Sequence, residues 1–205
     1  MTRKLALFVS YFFQPLLMPT LVFAFLIYGT PELVTMNLYN KGFILLMVFL
    51  TTFIIPVLSM VMMRLTKNIS SFHMTDKEER VFPFSMISLF YMLTTYLFYL
   101  KFKIDPILVL ALAVITISVI LLTSITFFLK ISAHMTGIAG LLAIIAAVLI
   151  KNPSNEYIEF LLLSILVAGG VASSRLYLNS HNPLEVYLGF FLGFGVCFGA
   201  FYFWT

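Results

Sequence analysis

The stretch Ser174-Arg175-Leu176-Tyr177-Leu178-Asn179-Ser180-His181-Asn182-Pro183-Leu184-Glu185 concentrates the residue types that do chemistry. Arginine is followed after five residues by histidine, and after three more by glutamate. On a helix, residues four apart share a face, so Glu185 can hold one ring nitrogen of His181 as a donor and leave the other for attack or proton transfer. The guanidinium of Arg175 offers a fixed fork of donors for an oxyanion. The same residues also read as a helix start, with Asn182 as cap, Pro183 at the first position and Glu185 closing a capping box. The two readings are compatible.

Such a group needs elements to position it, and composition says which. Of 205 residues, 62% are hydrophobic and 10% charged, with a mean hydropathy of +1.09; soluble domains carry about 25% charged residues. This excludes a water-soluble enzyme, a disordered chain and a small disulfide scaffold. The single cysteine, Cys197, allows no internal disulfide. The net charge of +4 is too thinly spread for a nucleic-acid surface, so no nucleic-acid partner is expected. Apolar runs long enough to cross a bilayer occur at 5–28, 42–63, 84–100, 106–129, 136–150, 158–173 and 185–204. The fold class is therefore all-α, a polytopic transmembrane helix bundle of six to seven spans, with residues 1–205 forming one integral membrane domain. Asp105-Pro106 and the polar turn 151–156 separate neighbouring spans. The first run contains Pro15 and Pro19, and reads either as one kinked span or as a short interfacial piece before a shorter span. Arg3 and Lys4 precede it as in a signal peptide, but its length and the lack of a small-residue cleavage site predict an anchor. Glycines four apart, Gly189 with Gly193 and Gly195 with Gly199, predict close helix packing.

If seven spans alternate, segments 64–83, 130–135 and 174–184 emerge on one side of the membrane, here side A. All three histidines (His73, His134, His181) lie there, as do Arg64, Arg80 and Arg175. Rare polar groups converging at the membrane boundary point to a site.

Three stretches resemble the signatures of the type 2 phosphatidic acid phosphatase family. Residues 174–185 are similar to its third signature, Ser-Arg-x5-His-x3-Asp, with Glu185 in place of aspartate. Ile131-Ser132-Ala133-His134 resembles the second, Pro-Ser-Gly-His, at two of four positions. His73 through Arg80 resembles the first, Lys-x6-Arg-Pro, with histidine replacing lysine and proline delayed to Pro83. The resemblance implies a phosphatase-like core over 73–200. It also implies that His181 attacks phosphorus to form a phosphohistidine, that Glu185 orients it, and that His134 protonates the departing alkoxide. For His134 the plainer alternative is a polar residue at a helix mouth.

Arg175 and Arg80 then read as phosphate clamps, and Ser132 as a helix cap whose neighbouring N–H groups face a bound anion. If 73–80 is helical, His73, Lys77 and Arg80 share a face and Lys77 supplies charge that His73 carries only when protonated. The alternative is a solvated interfacial segment, given Asp76, Glu78 and Glu79. Three separated histidines without a close pair on one helix face do not make a zinc site, so neither metal nor cofactor is expected.

The expected substrate is a lipid phosphate or diphosphate in the bilayer, of the phosphatidate, phosphatidylglycerol phosphate or polyprenyl diphosphate class. The residues do not choose among these, nor do they fix the oligomeric state. Two rival readings are a lipid phosphotransferase with the same intermediate and a non-catalytic binder or transporter of anionic lipids. Side A carries eight of the 12 Lys and Arg residues, which argues for the cytoplasm, but three of these are candidate site residues. The resemblance implies the outer face of a bacterial inner membrane.

Overall fold

Local caps start most helices of the chain. The computed structural model describes residues 1–34, 36–69, 77–102 and 104–204, and the side chains of 77–79 are outside the described set. Helix α1 spans Arg3–Phe12, with the Thr2 hydroxyl accepting from Leu5 N–H. A single 3₁₀ turn, Pro15–Leu17, leads into α2 (Met18–Ala24), which runs on as a π turn over Phe25–Gly29. Next come α3 (Leu38–Phe49), a π turn over Leu50–Ile54, and α4 (Ile55–Leu65). Helix α5 (Lys77–Leu97) also ends in a π turn. The last four helices are α6 (Pro106–Thr126), α7 (Ala133–Lys151), α8 (Asn155–Tyr177) and α9 (Pro183–Trp204). Asp105, Ser132, Ser154 and Asn182 cap α6 through α9 by accepting from backbone N–H groups.

Among the described residues seven helical segments are long and apolar enough to cross a membrane, the first being Arg3–Gly29. Large apolar side chains such as Leu58, Leu93, Leu166 and Phe191 face outward, which suits lipid rather than water. The protein is an all-α polytopic bundle integral to a membrane.

Several helix ends differ from the sequence expectation, and each has a physical reason. Helix α5 runs straight through Pro83, so Arg80 sits on the helix and not in a loop. Helix α7 starts at Ala133 because Ser132 caps it, which puts His134 in its first turn. Helix α8 extends to Tyr177 and carries Ser174 and Arg175 in its last turn. The first segment is broken at Phe13-Gln14. Gln14 is extended (φ −69°, ψ 149°), as a residue before proline prefers.

Prolines elsewhere free carbonyls that find other donors. Pro56 cannot donate to Thr52, four residues back, and the Thr52 carbonyl accepts the Tyr91 hydroxyl at 3.1 Å, joining the α3–α4 segment to α5. Side chains also link α5 to α6, through Ser88 with Thr123 at 2.9 Å and Thr95 with Thr116 at 2.8 Å.

Helix α7 is the most enclosed span and packs most closely on α9. A Cβ at Gly189 would come within 2.5 Å of the Ser132 carbonyl oxygen, and one at Gly193 would overlap the Thr136 carbonyl. Only glycine permits this approach. A Cβ at Gly195 or Gly199 would meet nothing within 4 Å, so of the two glycine pairs only the first is a packing contact.

Candidate functional site

The ends of four helices meet where the chemistry-bearing residues lie. Helices α5, α7 and α9 begin at this end of the bundle and α8 finishes there. The link from α8 to α9 is short because Asn179 adopts a left-handed conformation (φ 50°) just past the helix end. Asn179 N–H donates to the Leu176 carbonyl at 3.0 Å and Ser180 N–H to the Arg175 carbonyl at 3.1 Å, a turn that satisfies orphan carbonyls and that asparagine tolerates. It folds the chain so that His181 returns beside the last turn of α8.

Nδ1 of His181 lies 2.6 Å from Oε2 of Glu185. The other carboxylate oxygen of Glu185 accepts from the Asn182 side-chain amide at 3.1 Å, while Glu185 N–H donates to the Asn182 side-chain carbonyl at 2.9 Å. Glu185 therefore orients the histidine and completes the cap at once. Its backbone carbonyl accepts Ser132 N–H at 3.1 Å, which ties the first turn of α9 to the cap of α7, two residues before His134.

His181 is 7% exposed. Burial first, and then the positive charges of Arg80, Arg175, Lys130 and His134, hold its pKa well below the usual 6.5. A neutral ring that donates Nδ1–H to Glu185 leaves the lone pair of Nε2 available as a nucleophile. Arg80, Arg175 and His134 all lie near enough to act electrostatically on His181, and Glu185 acts on Arg80.

Arg80 is buried at 6% exposure. Arg175 donates from Nη1 to the Ser10 hydroxyl at 2.6 Å. Its Nε is buried and has no hydrogen-bond partner among the described residues. His134 Nε2 lies 3.1 Å from the Ser10 carbonyl oxygen; a carbonyl only accepts, so Nε2 carries a proton. Ser132 is fully buried, and its hydroxyl caps α7 by accepting from Met135 N–H at 3.4 Å. Lys77 opens α5, but its side chain, like all of His73, lies outside the described residues.

The family model of the PAP2 superfamily matches residues 124–205. Over those residues the chain is similar to this superfamily. The matched part of the chain holds Ser132, His134, Arg175, His181 and Glu185, and leaves Arg80, Lys77 and His73 outside. No curated protein and no solved structure matches the chain. Members of that superfamily are generally phosphatases, which supports a phosphoester hydrolase at a coarse level.

Two residues that shape the candidate site escaped the sequence reading. Asn179 carried a signal in hindsight, an asparagine two residues past a helix end. Ser10 carried a faint one: with Ala6 it forms a small, buried pair four apart, on a helix whose Leu5, Phe8, Tyr11 and Phe12 face outward.

A charge test of the guanidinium roles follows from burial. Arg80→Ala and Arg175→Ala are expected to lower phosphate turnover at least ~10-fold each, since hydrogen bonds to charged groups are worth about 1.5–3 kcal/mol. Lys67→Ala removes an exposed cation after α4 and is expected to stay near parent activity. Turnover assays on the three purified variants check this, and equal rates would remove the clamp assignment.

Proposed function

We propose that the protein is a membrane lipid phosphatase that hydrolyses a lipid phosphate or diphosphate through a phosphohistidine on His181. The observation that carries this is the His181–Glu185 pair at 2.6 Å, set among Arg80, Arg175 and His134. Binding an anion needs the arginines. It does not need a neutral imidazole oriented by a carboxylate.

In this mechanism Arg80 and Arg175 hold the phosphoryl oxygens, and the negative charge that builds up in the transition state falls between their guanidinium groups. Nε2 of His181 attacks phosphorus while Glu185 stabilises the positive charge developing on the ring. The P–O bond to the lipid breaks, and protonated His134 gives its proton to the leaving oxygen. Water then attacks the phosphohistidine, His134 takes a proton from that water, and inorganic phosphate departs. Ser132 and the first N–H groups of α7 add positive potential at the phosphate; Lys77 and His73 are assigned to the same clamp from the sequence pattern alone.

The substrate class follows from placement. The polar residues gather at one end of a bundle whose outer faces are apolar, so a phosphorylated headgroup reaches them while its tail stays in the bilayer. Phosphatidate, phosphatidylglycerol phosphate and polyprenyl diphosphate all satisfy this. We place the protein in a bacterial inner membrane with the site on its outer face.

The test is phosphate release from mixed micelles of each of these lipids, with no added alcohol acceptor, by the purified parent and by His134→Ala. The parent is expected to release phosphate from at least one lipid, and the variant to lose roughly 10²–10⁴-fold, the usual contribution of a positioned acid. Release that requires an added lipid alcohol would make the protein a phosphotransferase. Tight lipid binding without turnover would make it a binder.

A further inference from the structure

We propose that Ser10, on the N-terminal helix, is a positioning residue of the phosphate site, setting the guanidinium of Arg175 through its hydroxyl and the ring of His134 through its carbonyl. The proposal rests on the reading of those two residues as phosphate clamp and proton donor.

The chemistry begins at the break after α1. A helix leaves its last carbonyls without partners, and the Ser10 carbonyl would need the N–H of residue 14. Gln14 is turned to an extended conformation by the following Pro15. The Ser10 carbonyl is thus left over by the helix and accepts His134 Nε2–H at 3.1 Å. The helix end also presents the negative pole of its dipole to this cationic cluster.

The hydroxyl of Ser10 does a different job. It accepts from Arg175 Nη1 at 2.6 Å. In a guanidinium, Nη1 lies on the same side as Cδ, so fixing it leaves the opposite edge, Nε with Nη2, to take two phosphate oxygens side by side. Nε is the buried atom without a partner among the described residues. Arginine has many rotamers, and one hydroxyl decides which edge is presented. The placement of α1 is itself secured nearby, since Ser174 donates its hydroxyl to the Ala6 carbonyl at 3.0 Å.

Ser10 thereby treats His134 as Glu185 treats His181: one ring nitrogen is tied by an acceptor from the protein. The difference lies in charge. A carboxylate favours positive charge on the nucleophilic ring, whereas a neutral carbonyl leaves protonated His134 a stronger acid.

Ser10→Ala tests the hydroxyl alone, because the carbonyl survives. Inorganic phosphate serves as the probe, a product inhibitor of lipid phosphate turnover by the full chain in micelles. Ser10→Ala is expected to raise both KM and the phosphate inhibition constant about ten-fold, the value of a hydrogen bond to a charged group, with a smaller fall in kcat. Ser10→Thr is expected to restore both. Combining Ser10→Ala with Arg175→Ala is expected to cost no more than Arg175→Ala alone, because one residue acts through the other. An active parent whose inhibition constant is unchanged by Ser10→Ala, or fully additive effects in the double variant, would overturn the role of Ser10 and leave the phosphatase reading standing. A parent that neither releases phosphate nor is inhibited by it overturns both.

Discussion

His181→Ala is expected to abolish phosphate release, with a fall of roughly 10⁴-fold or more, because losing a nucleophile removes the first bond-forming step altogether. The histidine side chain is buried against Glu185, so the variant must be shown to fold. Unchanged thermal unfolding within a few degrees is sufficient. A second signature belongs to the intermediate. Parent protein mixed with labelled lipid phosphate and quenched in alkali should retain label on histidine, and His181→Ala should retain none. Glu185→Gln should fall between, roughly 10²–10⁴-fold down, because the amide still caps α9 but no longer favours positive charge on the ring. Full activity in His181→Ala would refute the mechanism.

The depressed pKa of His181 adds a pH dependence of definite sign. Above about 6.5 the ring is neutral in both folded and unfolded chains. Below that value the unfolded chain takes up a proton that the folded site refuses. Folding stability from this group is therefore full above 6.5, and falls by up to about 1.4 kcal/mol per pH unit as pH drops further. The His181 ring itself stays neutral through this window. Denaturation between pH 7 and pH 5, compared for parent and His181→Gln, reads the effect directly; the variant should show the shallower decline.

Gly193→Ala is the second variant with a large expected effect. Its new methyl would overlap the Thr136 carbonyl, and α7 backbone cannot yield as a flexible side chain does. Helix α9 must move away from the most enclosed helix of the bundle, at a cost of roughly 3 kcal/mol, the upper part of the range for overpacked cores. The shift also strains the hydrogen bond from Ser132 N–H to the Glu185 carbonyl, so activity should fall with stability. Gly199→Ala is the contrast. Nothing lies within 4 Å of that position, and alanine gains about 1 kcal/mol of helix propensity over glycine. Thermal unfolding followed by the fluorescence of the single tryptophan, Trp204, distinguishes them; equal midpoints would refute the packing account.

The contrast also shows what the sequence can and cannot reveal. Both glycine pairs have the same spacing, and spacing does not say which face of α9 meets α7. The number of spans was legible because twenty apolar residues have few other uses, and the Arg175–His181–Glu185 spacing was legible because such residues are rare in this chain. Helix ends were harder to read. Polar residues that cap or line the site are helical themselves, so hydropathy placed the starts of α5, α7 and α9 too late. The dual use of Glu185 was open from the residues alone; in the structure its carboxylate meets both the His181 ring and the Asn182 side-chain amide. Ser10 was illegible for a deeper reason, since its partners lie 124 and 165 residues away.

The bond between Ser132 and Glu185 couples the two imidazoles mechanically. One hangs from the first turn of α7 and the other precedes the first turn of α9, and a backbone hydrogen bond joins those turns. Solvent, detergent or heat that loosens this seam is expected to disturb both histidines together. Inactivation should then follow an all-or-none course, with the surviving molecules keeping the affinity and pH profile of the native protein.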